Sequence, residues 1–135
     1  MTIANRAVLV IEDEASVLAF IRAALERCGY AVVGVTSGVR GLEMLAADDY
    51  AGVISDMRTP GGVGGQEVYR WIAQFRPELA RRMLFITGDT VNLQTLQALR
   101  TTGVPFIEKP FRAQELMQMV RRVIGAGRDA AKSQG

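Results

Sequence analysis

At 135 residues, 49% hydrophobic and 22% charged, the chain is long enough for one packed domain and too apolar to be disordered. Its 16 basic and 14 acidic residues give a formal charge of +2, without the clustered basic stripe that a nucleic-acid surface needs. A single cysteine excludes an internal disulfide framework, and the absence of histidine excludes a His-based triad, a His-ligated zinc or a phosphohistidine within the chain.

Residues 7–11, Ala-Val-Leu-Val-Ile, predict a first strand halted by Glu12-Asp13-Glu14. Val17, Leu18, Ile21, Leu25 and Cys28 then recur at helical spacing until Gly29 stops the helix, so Cys28 is expected to pack rather than react. Residues 31–35 predict a second strand, and Ser37 caps a helix marked by Val39, Leu42 and Leu45. Val53 and Ile54 lead the third strand to Asp56, and a glycine-rich loop runs from there to Gly65. Val68, Ile72 and Phe75 mark the third helix, which ends before Pro77. Residues 83–87 form the fourth strand. Gly88-Asp89 then opens a helix carrying Leu93, Leu96 and Leu99, with Asp89 a candidate N-cap. Residues 104–107 form the fifth strand, and Leu116, Val120 and Val123 mark the last helix. The domain is expected over 1–125, with 126–135 a flexible tail or linker stub.

Strands alternating with helices imply a parallel sheet covered on both faces. Right-handed crossovers favour strand order 2-1-3-4-5, a single-domain α/β fold of the flavodoxin-like, doubly wound (βα)5 kind. In such sheets ligands bind at the carboxyl ends of the strands. The crevice between the first and third strands then receives Glu12, Asp13 and Asp56. Carboxylates crowded together raise one another's pKa unless a cation intervenes, and an oxygen-only donor set suits magnesium. Helix capping is the competing role for the acidic run, and Glu14 is its best candidate. Thr87 ends the fourth strand and Lys109 lies just past the fifth, adding a hydroxyl and an ammonium. Such a set stabilises a phosphoryl group by electrostatics and positioning.

In this order, Glu12-Asp13, Asp56, Thr87-Gly88 and Lys109-Pro110-Phe111 resemble the motifs of response-regulator receiver domains, over essentially residues 6–125. The resemblance implies that Asp56 is the phosphoacceptor. It also implies magnesium, replaceable by manganese, at Asp13, Asp56, the Arg58 carbonyl and Glu12, the last directly or through water. Lys109 is then the partner of a phosphoryl oxygen, Thr87 bonds the phosphoryl group, and Phe106 turns inward when Thr87 moves. The Lys109-Pro110 bond is expected to be cis. Arg58 and Asp89, two residues past Asp56 and Thr87, border the path of a hydrolytic water and are expected to pair over the phosphoryl group. Three features depart from the family's pattern: Glu12 where an aspartate is common, Thr59 where methionine is usual, and a loop one residue longer if Gly65 is the helix-opening glycine.

The wording Ser55-Asp-Met-Arg-Thr-Pro and Val104-Pro-Phe-Ile-Glu-Lys-Pro-Phe is similar to receivers of hybrid sensor histidine kinases. The expected partner is a histidine kinase or histidine phosphotransfer domain, which supplies the histidine this chain lacks. A homodimer through the fourth helix, fifth strand and fifth helix is a further expectation, with no nucleic-acid partner. No apolar run is long enough to span a membrane, and no signal peptide opens the chain, so a cytoplasmic location without membrane contact is expected. No enzymatic activity is expected beyond the domain's own phosphoryl transfer and slow autodephosphorylation. Three other readings compete. An unphosphorylated pseudo-receiver adaptor is disfavoured by the intact Asp56, Thr87 and Lys109. A phosphatase of the haloacid dehalogenase type wants a second aspartate where Ala15 stands. A nucleotide or flavin module wants a glycine-rich loop where Glu12-Asp-Glu-Ala-Ser is acidic.

Overall fold

Every residue of β1 (Val8–Ile11) is apolar and none is exposed, as a strand covered on both faces requires. The computed structural model describes residues 6–59 and 61–125, so the expected tail over 126–135 lies outside the described residues. Around β1 lie β2 (Val32–Val35), β3 (Gly52–Asp56), β4 (Met83–Thr87) and β5 (Phe106–Glu108). The sheet order is β2-β1-β3-β4-β5 and every pairing is parallel. This is the flavodoxin-like arrangement expected from the alternation of apolar runs.

The connecting helices are α1 (Ala15–Arg27), α2 (Gly38–Ala47), α3 (Gly65–Phe75), α4 (Pro77–Ala80), α5 (Leu93–Thr102) and α6 (Ala113–Val123). Side chains alternate across the sheet and make two cores. Val8, Val10, Ile54, Leu84 and Ile86 pack with Ile21 and Leu25 of α1 and Leu116 and Val120 of α6. Leu9, Ile11, Val53, Met83 and Phe85 pack with Leu45 of α2, Val68 and Ile72 of α3 and Leu99 of α5. Each fully buried side chain of this size contributes roughly 1.5–3 kcal/mol relative to exposure.

Ser37 caps α2 as expected, its Oγ accepting from the Arg40 N–H at 3.1 Å. Four local expectations are corrected. Helix α1 ends at Arg27, so Cys28 is its C-cap, half-buried against the first core, before Gly29 turns at φ 91°. The one-turn helix α4 starts on Pro77, whose missing N–H is harmless there, and buries Leu79. Helix α5 starts at Leu93 and is capped by Asn92, whose Oδ1 accepts from Gln94 and Thr95 N–H, so Asp89 is not its cap. Strand β5 begins at Phe106 rather than 104, because Pro105 offers only a carbonyl, which accepts from Phe85 N–H at 2.9 Å. The helices expected as fourth and fifth are thus α5 and α6.

Candidate functional site

Register brings the strand ends together. Ile11 pairs with Ser55, so Glu12, one residue on, is level with Asp56. Asp56 pairs with Ile86, which leaves Thr87 one residue further along β4. Thr87 pairs with Glu108, so Lys109 lies just beyond β5, its N–H donating to the Thr87 carbonyl at 2.8 Å. All of these ends open on one crevice.

Lys109 Nζ lies 2.9 Å from Glu12 Oε1 and 3.1 Å from Asp56 Oδ2. The first contact is an ion pair without hydrogen-bond alignment, while the second is a hydrogen bond. Asp56 Oδ1 accepts from the Arg58 N–H at 3.4 Å, a weak bond that draws the turn after β3 over the carboxylate. One oxygen each of Glu12, Asp13 and Asp56 lie within 4.8 Å of one another, with Asp13 exposed and the other two buried. An all-carboxylate donor set of this span fits a hard divalent cation.

Burial pushes the Glu12 carboxyl from 4.5 up to about 7, and the Asp56 charge adds to the rise. The Glu14 N–H, donating to Glu12 Oε2 at 3.0 Å, and the Lys109 ammonium oppose it. Burial alone would lower the pKa of Lys109, but the Glu12 and Asp56 carboxylates outweigh it and hold the ammonium above the ordinary lysine value. The two directions agree physically: the lysine gains from every acid around it, whereas Glu12 receives only a share of one cation.

A pH prediction follows from Glu12. Its folded-state pKa is raised, so the folded chain binds more protons than the unfolded one between pH 4.5 and about 7. The resulting stability is fully present below that window and is lost as pH rises through it. Glu12→Gln, measured in EDTA, is expected to lose this slope and to exceed the parent above about pH 7 by on the order of 2 kcal/mol. Urea unfolding at about pH 5 and about pH 8 checks it; parallel behaviour of the two proteins rejects a buried, protonated Glu12.

Glu14 does not cap. It stands at the N-cap of α1 with no side-chain cap bond, and its Oε1 accepts from Lys109 Nζ at 3.2 Å. Thr87 is buried, its Oγ1 accepting from the Asp89 N–H at 3.1 Å. Phe106, level with Phe85 on the neighbouring strand, is 42% exposed. The Lys109-Pro110 peptide is cis. Arg58 and Asp89, each two residues past a strand-end site residue, meet at 3.7 Å with side chains 66% and 44% exposed. Asp89 Oδ1 also accepts from the Asn92 N–H, and the Thr90 hydroxyl bonds the Glu108 carboxylate.

The loop from Met57 to Gly64 carries Arg58 and is braced from α2. Thr59 Oγ1 accepts from the Gly38 N–H at 3.3 Å and donates to the Val63 carbonyl. Gly61 and Gly62 turn the loop at φ 89° and 79°, conformations that disfavour any residue with a side chain. Gly65 opens α3 as expected, and a Cβ there would sit 2.9 Å from the Asp56 carbonyl. Sequence reasoning located the acids, Thr87, Lys109 and the Arg58–Asp89 pair. It missed the Glu14 contact, which joins residues 95 positions apart, and the Thr59 brace.

A family model described as "Response regulator receiver domain" matches residues 8–121. Among curated proteins, the C4-dicarboxylate transport transcriptional regulatory protein DctD of Rhizobium meliloti is 34% identical over 115 residues, covering 85% of this chain and 24% of that protein. Transcriptional regulatory protein FixJ of Bradyrhizobium diazoefficiens is 29% identical, covering 94% of this chain and 60% of its own length. The chain therefore spans less than two thirds of these relatives. Among solved structures, a CheY-like receiver domain from Methanospirillum hungatei superposes with TM-score 0.79 at 20% identity, covering 96% and 98% of the two chains. The receiver domain of sensor histidine kinase PA1611 from Pseudomonas aeruginosa, solved with magnesium in its active-site cleft, gives 0.77 at 25% identity and covers 91% and 100%.

Proposed function

Since the chain belongs to the response-regulator receiver family, we propose that Asp56 accepts a phosphoryl group from a histidine kinase or histidine phosphotransfer protein. The observation that carries this reading is a buried Asp56 carboxylate beside Lys109, with Glu12 and Asp13 closing the same crevice. An Asp56 oxygen attacks phosphorus, and the phosphorus–nitrogen bond of the donor breaks with its electrons going to the imidazole nitrogen. Glu12, Asp13, Asp56 and the Arg58 carbonyl would hold magnesium or manganese, and such an ion would offset the negative charge of the phosphoryl oxygens. Lys109 holds one phosphoryl oxygen, and the Thr87 hydroxyl bonds another. The chain's own chemistry ends with this gain and its slow hydrolysis. Incubation with acetyl phosphate and magnesium tests the reading: addition of one phosphoryl group per chain supports it, and no addition rejects it. A parent protein of the hybrid-kinase kind is supported by the sensor-kinase receiver, and one of the transcriptional-regulator kind by the more similar DctD.

The switch resides in Thr87. Its hydroxyl now accepts from the Asp89 N–H, and drawing it to a phosphoryl oxygen withdraws that acceptor and vacates space for Phe106. The face of α5, β5 and α6 then changes and presents itself to a second copy. Thr87→Ala is expected to become phosphorylated yet to lose most of the change in hydrogen exchange at that face; a response equal to the parent's removes Thr87 from the coupling.

The Arg58–Asp89 pair sets the lifetime. At 3.7 Å and exposed on both side chains it adds little stability, and its place two residues past Asp56 and Thr87 borders the approach of a water to Asp56. Arg58→Asn opens that approach and offers an amide to hold a water in line. Phosphate release is expected to quicken several-fold, about 3- to 10-fold for a barrier change near 1 kcal/mol. An unchanged decay means that Arg58 does not shield the site.

A further inference from the structure

We infer that Glu14 is a positioning residue which holds, before phosphorylation, the place on Lys109 that a phosphoryl oxygen later takes; the inference rests on the receiver reading above. A lysine ammonium has three N–H donors and no acceptor. Lys109 Nζ has Glu12 Oε1 at 2.9 Å, Asp56 Oδ2 at 3.1 Å and Glu14 Oε1 at 3.2 Å. Two of these contacts are hydrogen bonds, to Asp56 and Glu14, and the third is an ion pair that crowds the same ammonium, so an arriving phosphoryl oxygen competes for a place already held.

Glu12 cannot leave. Its side chain is 0% exposed, and Oε1 has no hydrogen-bond partner to turn to. Asp56 is the group being modified and stays in place. The Glu14 side chain is 59% exposed, so water replaces the lysine at little cost when it turns away. Among the described residues no other bond holds it: the side chain makes no cap bond to α1 and is not among the acids whose oxygens converge for a metal. The room for its departure is present as well. An open cavity of about 460 Å³ lies beside the pair, lined by Glu14 and Lys109 together with Phe20 and Phe111. Lys109 is thus oriented by two hydrogen bonds and an ion pair at rest, with one partner that yields.

Glu14→Gln and Glu14→Asp separate contact from simple repulsion. The first removes the charge; the second keeps it on a side chain one methylene too short for the 3.2 Å contact. The probe is beryllofluoride, a phosphoryl stand-in for Asp56, titrated with saturating magnesium. Both variants are expected to bind it roughly two- to fivefold more tightly than the parent, the range of one exposed ion pair. The ¹⁵N signal of the Lys109 ammonium is expected to shift in both before any beryllofluoride is added. If Gln tightens binding while Asp matches the parent, Glu14 acts only by repelling anions and the inference is overturned. Equal affinity in all three proteins overturns it too. A parent that binds no beryllofluoride removes the receiver reading itself, a failure distinct from the other two.

Discussion

Asp56→Asn is expected to take up no phosphoryl group from acetyl phosphate and magnesium, under conditions where the parent takes up one per chain. The amide keeps the shape of the carboxylate but not its charge, and its nitrogen lone pair is delocalised, so the nucleophile is lost. The fold should not suffer. The Asp56 charge is one of the influences raising the Glu12 pKa, and its removal leaves Lys109 to the acids that remain. Intact-mass measurement before and after treatment reads the result, with thermal unfolding as the control. Ser55, the neighbouring hydroxyl, is turned to the Asp56 carbonyl and is no substitute acceptor. Full-yield modification of the variant would move the acceptor elsewhere, with Asp13 the exposed acid of the cluster to examine.

The second large effect is on stability. Lys109→Ala leaves Glu12, fully buried, and Asp56, nearly so, without their cation. Removing one partner of a buried pair is strongly destabilising because the other charge is stranded. Glu12 escapes part of this by taking a proton, as its raised pKa allows. Without metal, the loss is therefore expected to be on the order of 2–4 kcal/mol at about pH 8 and distinctly smaller at about pH 5. The sign follows from Lys109 as well: its pKa is raised on folding, so its contribution is complete throughout neutral pH and fades only in strong alkali. Urea unfolding of parent and variant at the two pH values decides the matter. An equal loss at both would mean that Lys109 does not act through the Glu12 charge.

The parts of this molecule legible in the sequence are those dictated by neighbours along the chain. Apolar runs ending in acids or glycines located β1, β3 and β4 and, once the order was inferred, put Glu12, Asp13, Asp56, Thr87 and Lys109 at one end of the sheet. Where two local signals carry the same chemistry, the reading failed. Gly88-Asp89-Thr90 looks like a helix start as much as Val91-Asn92 does, and only the observed bonds from Gln94 and Thr95 to Asn92 decide it. Pro77 marked the end of α3 correctly, but the single buried Leu79 gave no period from which to see α4. Glu14 reads locally as a cap, and its attachment to Lys109 depends on two strand ends meeting, which no window of sequence contains. The orientation of Phe106 is likewise invisible, since an aromatic residue at a strand start packs inward or outward with equal local sense.

The sheet order leaves β2 and β5 as its two edges. An edge strand exposes unpaired backbone donors and acceptors, which invite another chain to add to the ladder. Here both edges are short, four residues in β2 and three in β5. On β2 the Arg22 guanidinium reaches across from α1 to the Val32 carbonyl at 3.4 Å, close to the place where Gly34 leaves room for it. On β5 the acidic Glu108 adds charge beside Phe106. Short edges flanked by charge disfavour growth of the sheet along its hydrogen-bonding direction. The pairing of copies proposed above is accordingly one of side-chain faces, which a change of packing can make or unmake, rather than of backbone ladders, which it cannot.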